Sequence, residues 1–247
     1  MILPKKITPD RIRESIVQVF FTSQIPFEPL IGYLYEPFKE LDLRFTNRPI
    51  RQQNEPSGIT QPPGIEIIVP QYLFFNDKFK IQVLNGSLFF NCIGDYPGWQ
   101  HYFSFVKDVV NKVSQRQIVE FGNRVGVRYI SEFPNLDILQ VIDFNMSLRV
   151  IKNSLNSANF KLEWNDDSYR IIVNLGVKLP VKPIIVKNLT PKSFDVSFID
   201  IDVIHENLPK YNLNELFSII ESTHTKEKEI FFGLLKEDFL ETLNPEY

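Results

Sequence analysis

The stretch from residue 98 to residue 133 constrains the fold most, because it carries two different apolar periods in succession. Its first half has apolar residues three and four positions apart, which is the spacing of a helix with one buried face. The members of that stripe are Trp99, Tyr102, Phe103, Val106, Val109, Val110 and Val113. Its second half alternates apolar and polar residues, as a half-buried strand does. The sequence therefore predicts an amphipathic helix followed by a long strand.

The polar face of that strand carries two arginines that flank a glycine. Arg124, Gly126 and Arg128 alternate with apolar residues, so they share one face and lie opposite the core. At the rise of a strand, the two arginines are about 13 Å apart. Guanidinium groups placed in this way can bind the carboxylates or phosphates of a partner. The alternative is that they form internal ion pairs, and the acids considered for these are Glu120, Glu132 and Asp143.

Trp99 is a further candidate site residue, because it opens the predicted helix within the step Tyr96-Pro97-Gly98-Trp99. A large aromatic residue at this position favours an anchor between the helix and a core. The alternative interpretation is a ligand contact that also involves His101.

The remaining patterns predict strands, two tight turns and one loop. Asn85-Gly86 between apolar runs is a strong hairpin signal, and residues 165–168 indicate a second turn. Alternation predicts strands over residues 16–21 and 142–150, and a slip of the apolar phase near Phe198 predicts a bulge. The polar, proline-rich stretch from Arg44 to Gly64 predicts a surface loop. Asn212 followed by Glu215 indicates a helix that begins with a capping box.

These elements predict an α+β fold, in which long amphipathic helices cover one face of antiparallel sheets. The pattern of strands followed by a helix occurs twice, so we expect two halves of similar size. Residues 1–137 would form an N-terminal α+β domain. Residues 138–247 would form a C-terminal antiparallel sheet with a long helix.

Composition indicates an ordinary globular chain. The net charge is −3, and no run of like charge resembles the basic arm of a nucleic-acid-binding protein. Cys92 is the single cysteine, so no disulfide can form within the chain, which is typical of a reducing compartment. The sequence shows neither a signal peptide nor an apolar run that could span a membrane. We therefore expect a cytoplasmic location and no contact with a membrane.

No motif predicts a cofactor or a catalytic centre. The three histidines are scattered, and neither a phosphate-binding glycine loop nor a Gly-x-Ser-x-Gly elbow occurs. The nearest approach to a metal site is the set Asp200, Asp202, His205 and Glu206. Two carboxylates and an imidazole could hold a hard cation, whereas the alternative is an acidic strand that discourages edge pairing.

Several stretches together resemble a sporadically distributed prokaryotic protein family of uncharacterised function. The central one is a strand with the pattern Arg-Ile/Val-Gly-Leu/Val-Arg-Tyr-Ile-Asn/Ser, which is Arg124 to Ser131 here. Weaker likenesses are the opening strand from Ile12 to Phe21, the step from Tyr96 to Trp99, and the C-terminal stretch from His224 to Glu237. Ser131 replaces the family's usual Asn. The resemblance implies membership of a family and no particular activity.

The favoured hypothesis is a non-enzymatic binding or regulatory protein with a protein partner. The sporadic occurrence of the resembled family suggests an accessory role in a prokaryotic defence or toxin–antitoxin system. A second hypothesis is a nucleic-acid-binding protein, in which exposed aromatic residues beside Lys78, Lys80 and Arg170 would stack on bases. A third hypothesis is a metal-dependent hydrolase built on Asp200 and Asp202.

Overall fold

A computed structural model of the chain describes residues 2–51, 68–145, 155–181, 194–208 and 212–247. Its strands are β1 (Ile12–Ser23), β2 (Arg44–Arg51), β3 (Ile68–Phe75), β4 (Phe79–Leu84), β5 (Ser87–Cys92), β6 (Val119–Pro134), β7 (Ala158–Asp166), β8 (Tyr169–Val181) and β9 (Phe194–Leu208). Its helices are α1 (Phe27–Lys39), α2 (Trp99–Ser114), α3 (Leu213–Leu234) and α4 (Glu237–Thr242), with a short 3-10 helix at Ile138–Gln140.

All nine described strands belong to one antiparallel sheet, in the order β2-β3-β4-β5-β1-β6-β9-β8-β7. The predicted strand after α2 is β6, which pairs with β1 on one side and with β9 on the other. Because β9 comes from the C-terminal part of the chain, this pairing joins the two predicted halves through backbone hydrogen bonds. Such long-range pairing cannot be inferred from local periodicity.

The predicted fold class is therefore wrong. Instead of separate antiparallel sheets under long amphipathic helices, in two similar-sized halves, the chain forms one continuous sheet with shorter helices against it. Nine strands make a sheet about 38 Å wide, whereas α3, the longest described helix at 22 residues, extends for about 33 Å. The proposed boundary between residues 137 and 138 stays a prediction.

All four described α-helices contribute to two apolar clusters on the same face of the sheet. The predicted stripe of α2 is buried as expected, apart from the half-buried Trp99. On the strands, the covered face carries fully buried residues such as Val17, Val127 and Val203. Within the described ranges, no helix is long and apolar enough to cross a lipid bilayer.

Tyr102 fixes α2 to the centre of the sheet by hydrogen bonds as well as by packing. Its hydroxyl accepts a hydrogen bond from the backbone N–H of Val17 at 3.0 Å and donates one to the carbonyl of Phe90 at 2.6 Å. Both partners lie on adjacent strands, β1 and β5. A fully buried tyrosine needs such partners, because an unpaired hydroxyl in the core would cost free energy.

Several local predictions are confirmed. The Asn85-Gly86 turn connects β4 with β5, where Leu84 pairs with Ser87, and Gly86 has the positive φ of 83° that favours glycine. The second predicted turn connects β7 with β8. The capping box of Asn212 and Glu215 begins α3.

Other local predictions are wrong for identifiable reasons. Arg44–Arg51 is a strand paired with β3 rather than a loop, and the rest of that predicted loop lies outside the described residues. A bulge does occur next to Phe198, but the extra residue lies in the partner strand β8, between Gly176 and Leu179, and not in β9. The apolar phase of β9 changes because Phe198 lies on the other face of the sheet, opposite Gly176.

The predicted strand over residues 142–150 is not supported where the structure describes it. Ile142 makes one isolated bridge to Leu235, and residues 143–145 have no regular structure. The other part of this prediction lies outside the described residues.

Candidate functional site

One face of the sheet is covered by the described helices. We call the opposite face, against which no described helix packs, the uncovered face. It carries Arg124 and Arg128 from β6, together with the residues that pair beside them on β1, β8 and β9. Its apolar side chains include the half-buried Ile16, Phe20, Ile130, Ile172 and Phe198. Ile204, which pairs in register with Gly126 and Arg170, lies on the same face and is buried.

Arg128 forms the best-defined ion pair of this face. Its Nε donates to Oδ1 of Asp200 at 2.7 Å, and one terminal nitrogen donates to Oδ2 at 2.9 Å. Asp200 also accepts a hydrogen bond from Nδ2 of Asn174 at 2.9 Å. The hydrogen bond to Asp200 raises the pKa of Arg128, against the effect of burial. Paired hydrogen bonds of this kind fix both direction and register, so Arg128 joins β6 to the C-terminal strands.

Arg124 is held much more loosely. Its nearest described carboxylate is that of Glu206, whose Oε1 lies 4.0 Å from a terminal nitrogen of Arg124 and 3.3 Å from one of Arg170. The guanidinium of Arg124 also lies over the ring of Phe20, 5.1 Å from its centroid. Arg124 and Arg170 therefore share the carboxylate of Glu206. The Nε–H group of each arginine is buried and has no hydrogen-bond acceptor among the described residues.

Asp202 lies between these two ion pairs. Burial raises its pKa, whereas the charges of Arg128 and Arg124 oppose that effect. Gly126 pairs with Gln18 of β1, and a Cβ built on Gly126 would lie 3.6 Å from that side chain and 3.9 Å from Oδ1 of Asp202. Both distances are ordinary contacts, so this position has room for a small side chain. We call Arg124, Arg128, Arg170, Asp200, Asp202 and Glu206 the arginine–carboxylate cluster.

The structure corrects the partners that sequence reasoning considered for the arginines. The carboxylates of Asp200 and Glu206 lie on β9, far from β6 in sequence, and were considered only as metal ligands. Glu132, one of the acids expected to pair with them, approaches Arg13 instead, at 3.9 Å. Because the acids near β6 in sequence were the only ones considered, the pairing of β6 with β9 was the missing information.

Trp99 lies on the other side of the sheet, in a stack of rings between α2 and α3. Its ring lies parallel to that of His224, with 3.7 Å between centroids, and Phe103 stacks at 4.9 Å. Its Nε1 donates to Oε1 of Glu221 at 3.1 Å. Trp99 therefore anchors α2 to α3 more directly than to the sheet.

Three of the stretches that carry the family resemblance meet in this region. Tyr96 comes from the turn before α2, Tyr129 from β6 and His224 from α3. The hydroxyl oxygens of Tyr96 and Tyr129 are 2.8 Å apart, and the rings of Tyr129 and His224 are 5.8 Å apart. Burial lowers the pKa of His224 to about 3, so its imidazole is neutral at physiological pH. We call Tyr96, Trp99, Tyr129, His224 and Glu227 the buried aromatic–acid cluster.

Sequence analysis did not identify Glu227 as a candidate site residue. This glutamate follows His224 by one helical turn and has only 4% of its surface exposed. Burial raises its pKa to about 8, opposed by the charge of Lys228. Its carboxyl group also raises the pKa of both Tyr96 and Tyr129, although burial is the larger cause for each. A protonated carboxyl group next to neutral aromatic groups is compatible with a packed core.

The predicted metal ligands do not converge. His205 pairs in register with Val125 and Tyr169, which places it on the covered face. Asp200, Asp202 and Glu206 lie on the uncovered face, where arginines neighbour them. Among the described residues, no group of three or more His, Cys, Asp or Glu side chains is arranged to hold a metal ion.

The basic residues considered for nucleic-acid binding are dispersed. Lys78 lies just before β4, whereas Lys80 on β4 and Arg170 on β8 share the uncovered face. These two strands are five positions apart in the sheet, which corresponds to about 24 Å. Arg170 is already engaged by Glu163 at 3.4 Å and by Glu206.

Comparison with known proteins adds no further constraint. No family model, no curated protein and no solved structure matches the chain. The resemblance carried by Arg124 to Ser131 therefore stays a prediction.

Proposed function

We propose that this chain is a non-enzymatic binding protein that holds a protein partner on the uncovered face of its sheet. The observation that supports this proposal is that apolar side chains and charged side chains occur together on that face. Half-buried apolar side chains surround the arginine–carboxylate cluster, in which Arg124 has no close carboxylate partner within the described residues.

This combination has the character of a protein interface. Arginine and aromatic residues are enriched in such interfaces, and apolar contacts at the centre are surrounded by polar groups. On the uncovered face, Phe20 lies under the guanidinium of Arg124, and Ile16 pairs in register with Arg128. A partner would cover these apolar surfaces and could offer a carboxylate to the exposed part of the Arg124 guanidinium, whose side chain is 31% exposed.

The charge of the cluster favours a protein over a nucleic acid. Its three arginines are matched by three acids, so it offers no excess of positive charge. A nucleic-acid surface would need such an excess, because phosphate contacts dominate the affinity. The apolar side chains between the charges favour a partner with apolar side chains of its own.

We propose that this binding has a regulatory role in a prokaryotic defence or toxin–antitoxin system. Its support is the family resemblance alone. A partner encoded beside the gene of this chain would strengthen it.

The test is capture of a partner from the native host, followed by binding measurements with the purified pair. Phe20→Ala removes a half-buried ring from the uncovered face. Tyr33→Ala is the matched control, because it removes a ring that is 56% exposed on α1, away from that face. We expect Phe20→Ala to weaken binding at least tenfold and Tyr33→Ala to leave it unchanged.

Hydrogen exchange on the purified complex gives a second measurement. The partner should slow exchange in β1, β6 and β9 more than in α1. Equal loss of binding in both variants, or protection confined to the helices, would contradict this location of the binding surface. Thermal unfolding of both variants would show whether a loss of binding reflects a loss of folded protein.

A further inference from the structure

Strand β7 forms one end of the sheet among the described residues, and its outer side is the subject of this inference. Nine residues of β7 pair with β8 on the inner side. An unpaired edge of this length presents backbone donors and acceptors to another strand, and proteins usually protect such an edge with proline, charge or a bulge. β7 has no proline, and its pairing with β8 shows no shift of register. Its exposed charges include Lys161 and Glu163, which are opposite in sign and lie 3.4 Å apart within the strand.

The covered side of β7 carries an incompletely buried apolar column. Phe160, Leu162 and Trp164 pair in register with Leu175, Val173 and Ile171 of β8, which are fully buried. Phe160 and Leu162 are half-buried, and Trp164 is 40% exposed. The outermost strand therefore leaves apolar surface at the edge of the core.

The order of residues in β7 is chemically symmetric about Leu162. From residue 159 to residue 165 it runs Asn, Phe, Lys, Leu, Glu, Trp and Asn. An antiparallel pair of two β7 strands centred on Leu162 would place Lys161 of one copy opposite Glu163 of the other, twice. It would also place each Phe160 opposite a Trp164. Opposite charges and aromatic pairs are both favourable as direct cross-strand neighbours.

We propose that β7 pairs with β7 of a second copy of this chain, in the antiparallel register centred on Leu162. The two-fold axis lies perpendicular to the sheet, so the nine-stranded sheets join into one and the covered faces stay on the same side. This is the self-complementary interface that a symmetric dimer requires.

The charges of Lys161 and Glu163 determine which register of the two paired β7 strands is favoured. A shift by two residues is the smallest that keeps every side chain on its own face of the sheet. Such a shift would bring Lys161 opposite Lys161, or Glu163 opposite Glu163, of the second copy. Like charges directly opposite each other are destabilising, so the register centred on Leu162 is favoured over both neighbours.

The predicted dimer places both uncovered faces on one side of the joined sheet. It does not depend on partner binding there, so either proposal can fail without the other. Because two edge strands bury less surface than a standard interface of roughly 1,200–2,000 Å², we expect dissociation in the micromolar range.

Sedimentation equilibrium of the full chain and of two charge variants tests this proposal. Lys161→Glu would place Glu opposite Glu, and Glu163→Lys would place Lys opposite Lys, at two positions in each dimer. We expect each variant alone to raise the dimer dissociation constant at least tenfold. An equimolar mixture of the two should recover dimers, because every charged pair is then opposite in sign.

Arg170→Gln is the control variant. It removes the ion pairs that Arg170 makes within the chain with Glu163 at 3.4 Å and with Glu206 at 3.3 Å, without changing β7, and should leave the dimer intact. Melting temperatures of all variants would show that they fold. A wild-type chain that stays monomeric to millimolar concentration would overturn the proposal, since it would mean that the edge is blocked within one chain. A dimer that neither single variant weakens, or a mixture that fails to recombine, would overturn it equally.

Discussion

Asp200 and Glu227 are equally buried, each with 4% of its surface exposed, yet they lie on opposite faces of the sheet in opposite chemical surroundings. Asp200, on the uncovered face, accepts two hydrogen bonds from Arg128 and one from Asn174. Glu227, on the covered face, lies near two tyrosine hydroxyls, and burial raises its pKa to about 8. The comparison shows that two acids buried to the same extent can have very different neighbours, a guanidinium and an amide for Asp200 and neutral aromatic groups for Glu227.

The two faces of the sheet are therefore stabilised by different kinds of interaction. On the covered face, apolar packing and neutral polar groups hold α2 and α3 in place, and charge is avoided. On the uncovered face, charged side chains remain close together because opposite charges neutralise one another. A change that introduces or removes charge should thus act differently on the two faces, which the following predictions test.

Trp99→Ala should have the largest effect, with a loss of about 3 kcal/mol in the free energy of unfolding. Large aromatic truncations in cores cost 3–5 kcal/mol or so, and we take the lower end because Trp99 is half-buried. The loss would come from the stack with His224 and Phe103. Chemical denaturation measures it. An unfolding midpoint equal to that of the wild type would show that this stack does not stabilise the contact between α2 and α3.

Glu227→Gln should stabilise the protein at neutral pH. The folded-state pKa of about 8 lies above the ordinary value of 4.5. The stability associated with the protonated acid is therefore complete below pH 4.5 and is lost as the pH rises towards 8. At about 1.4 kcal/mol per pKa unit, the wild type should be less stable than the variant by roughly 3 kcal/mol at pH 7.

The measurement is the free energy of unfolding of both proteins between pH 4 and pH 8.5. His224 titrates in both, so the difference between them isolates Glu227. The gap should widen with rising pH and close near pH 4. Parallel curves would show that Glu227 has a partner that keeps its ordinary pKa.

Arg128→Gln should reduce the free energy of unfolding by about 1–3 kcal/mol, because it leaves Asp200 buried without its cation. We expect less than for a fully buried pair, since the Arg128 side chain is 39% exposed. Arg124→Gln is the matched control on the same strand. Its 4.0 Å approach to Glu206 joins two partly exposed groups, so the change should be within about 0.5 kcal/mol. Equal losses would mean that the cluster acts as one network.

Local patterns predicted the elements whose neighbours are close in sequence. The stripe of α2, the turn at Asn85-Gly86 and the cap at Asn212 depend on residues a few positions apart, and all three were found. The opposite faces of Val127 and Arg128 also followed from alternation alone. These features need no information about the rest of the chain.

The site depends on pairings that a single sequence does not show. Asp200 was considered as a metal ligand because its arginine partner lies on β6, which is distant in sequence. Glu227 was overlooked because a glutamate on a helix is usually exposed, and the apolar stripe of α3 did not include it. Neither environment could be recognised before β9 and α3 were placed beside β6.

Gly126→Ala should have the smallest effect on stability and the most direct bearing on the uncovered face. A Cβ at this position would meet Gln18 at an ordinary contact distance of 3.6 Å, whereas one at Gly176 would lie 2.2 Å from the ring of Phe198. Because glycine within a strand is less favourable than alanine by roughly 0.5–1 kcal/mol, the variant should be as stable as the wild type or slightly more so. If the glycine instead serves the close approach of a partner, Gly126→Ala will weaken partner binding without lowering stability. Denaturation together with partner titration separates these results, and a clear loss of stability would show that the space beside Gly126, between Gln18 and Asp202, is tighter than this geometry implies.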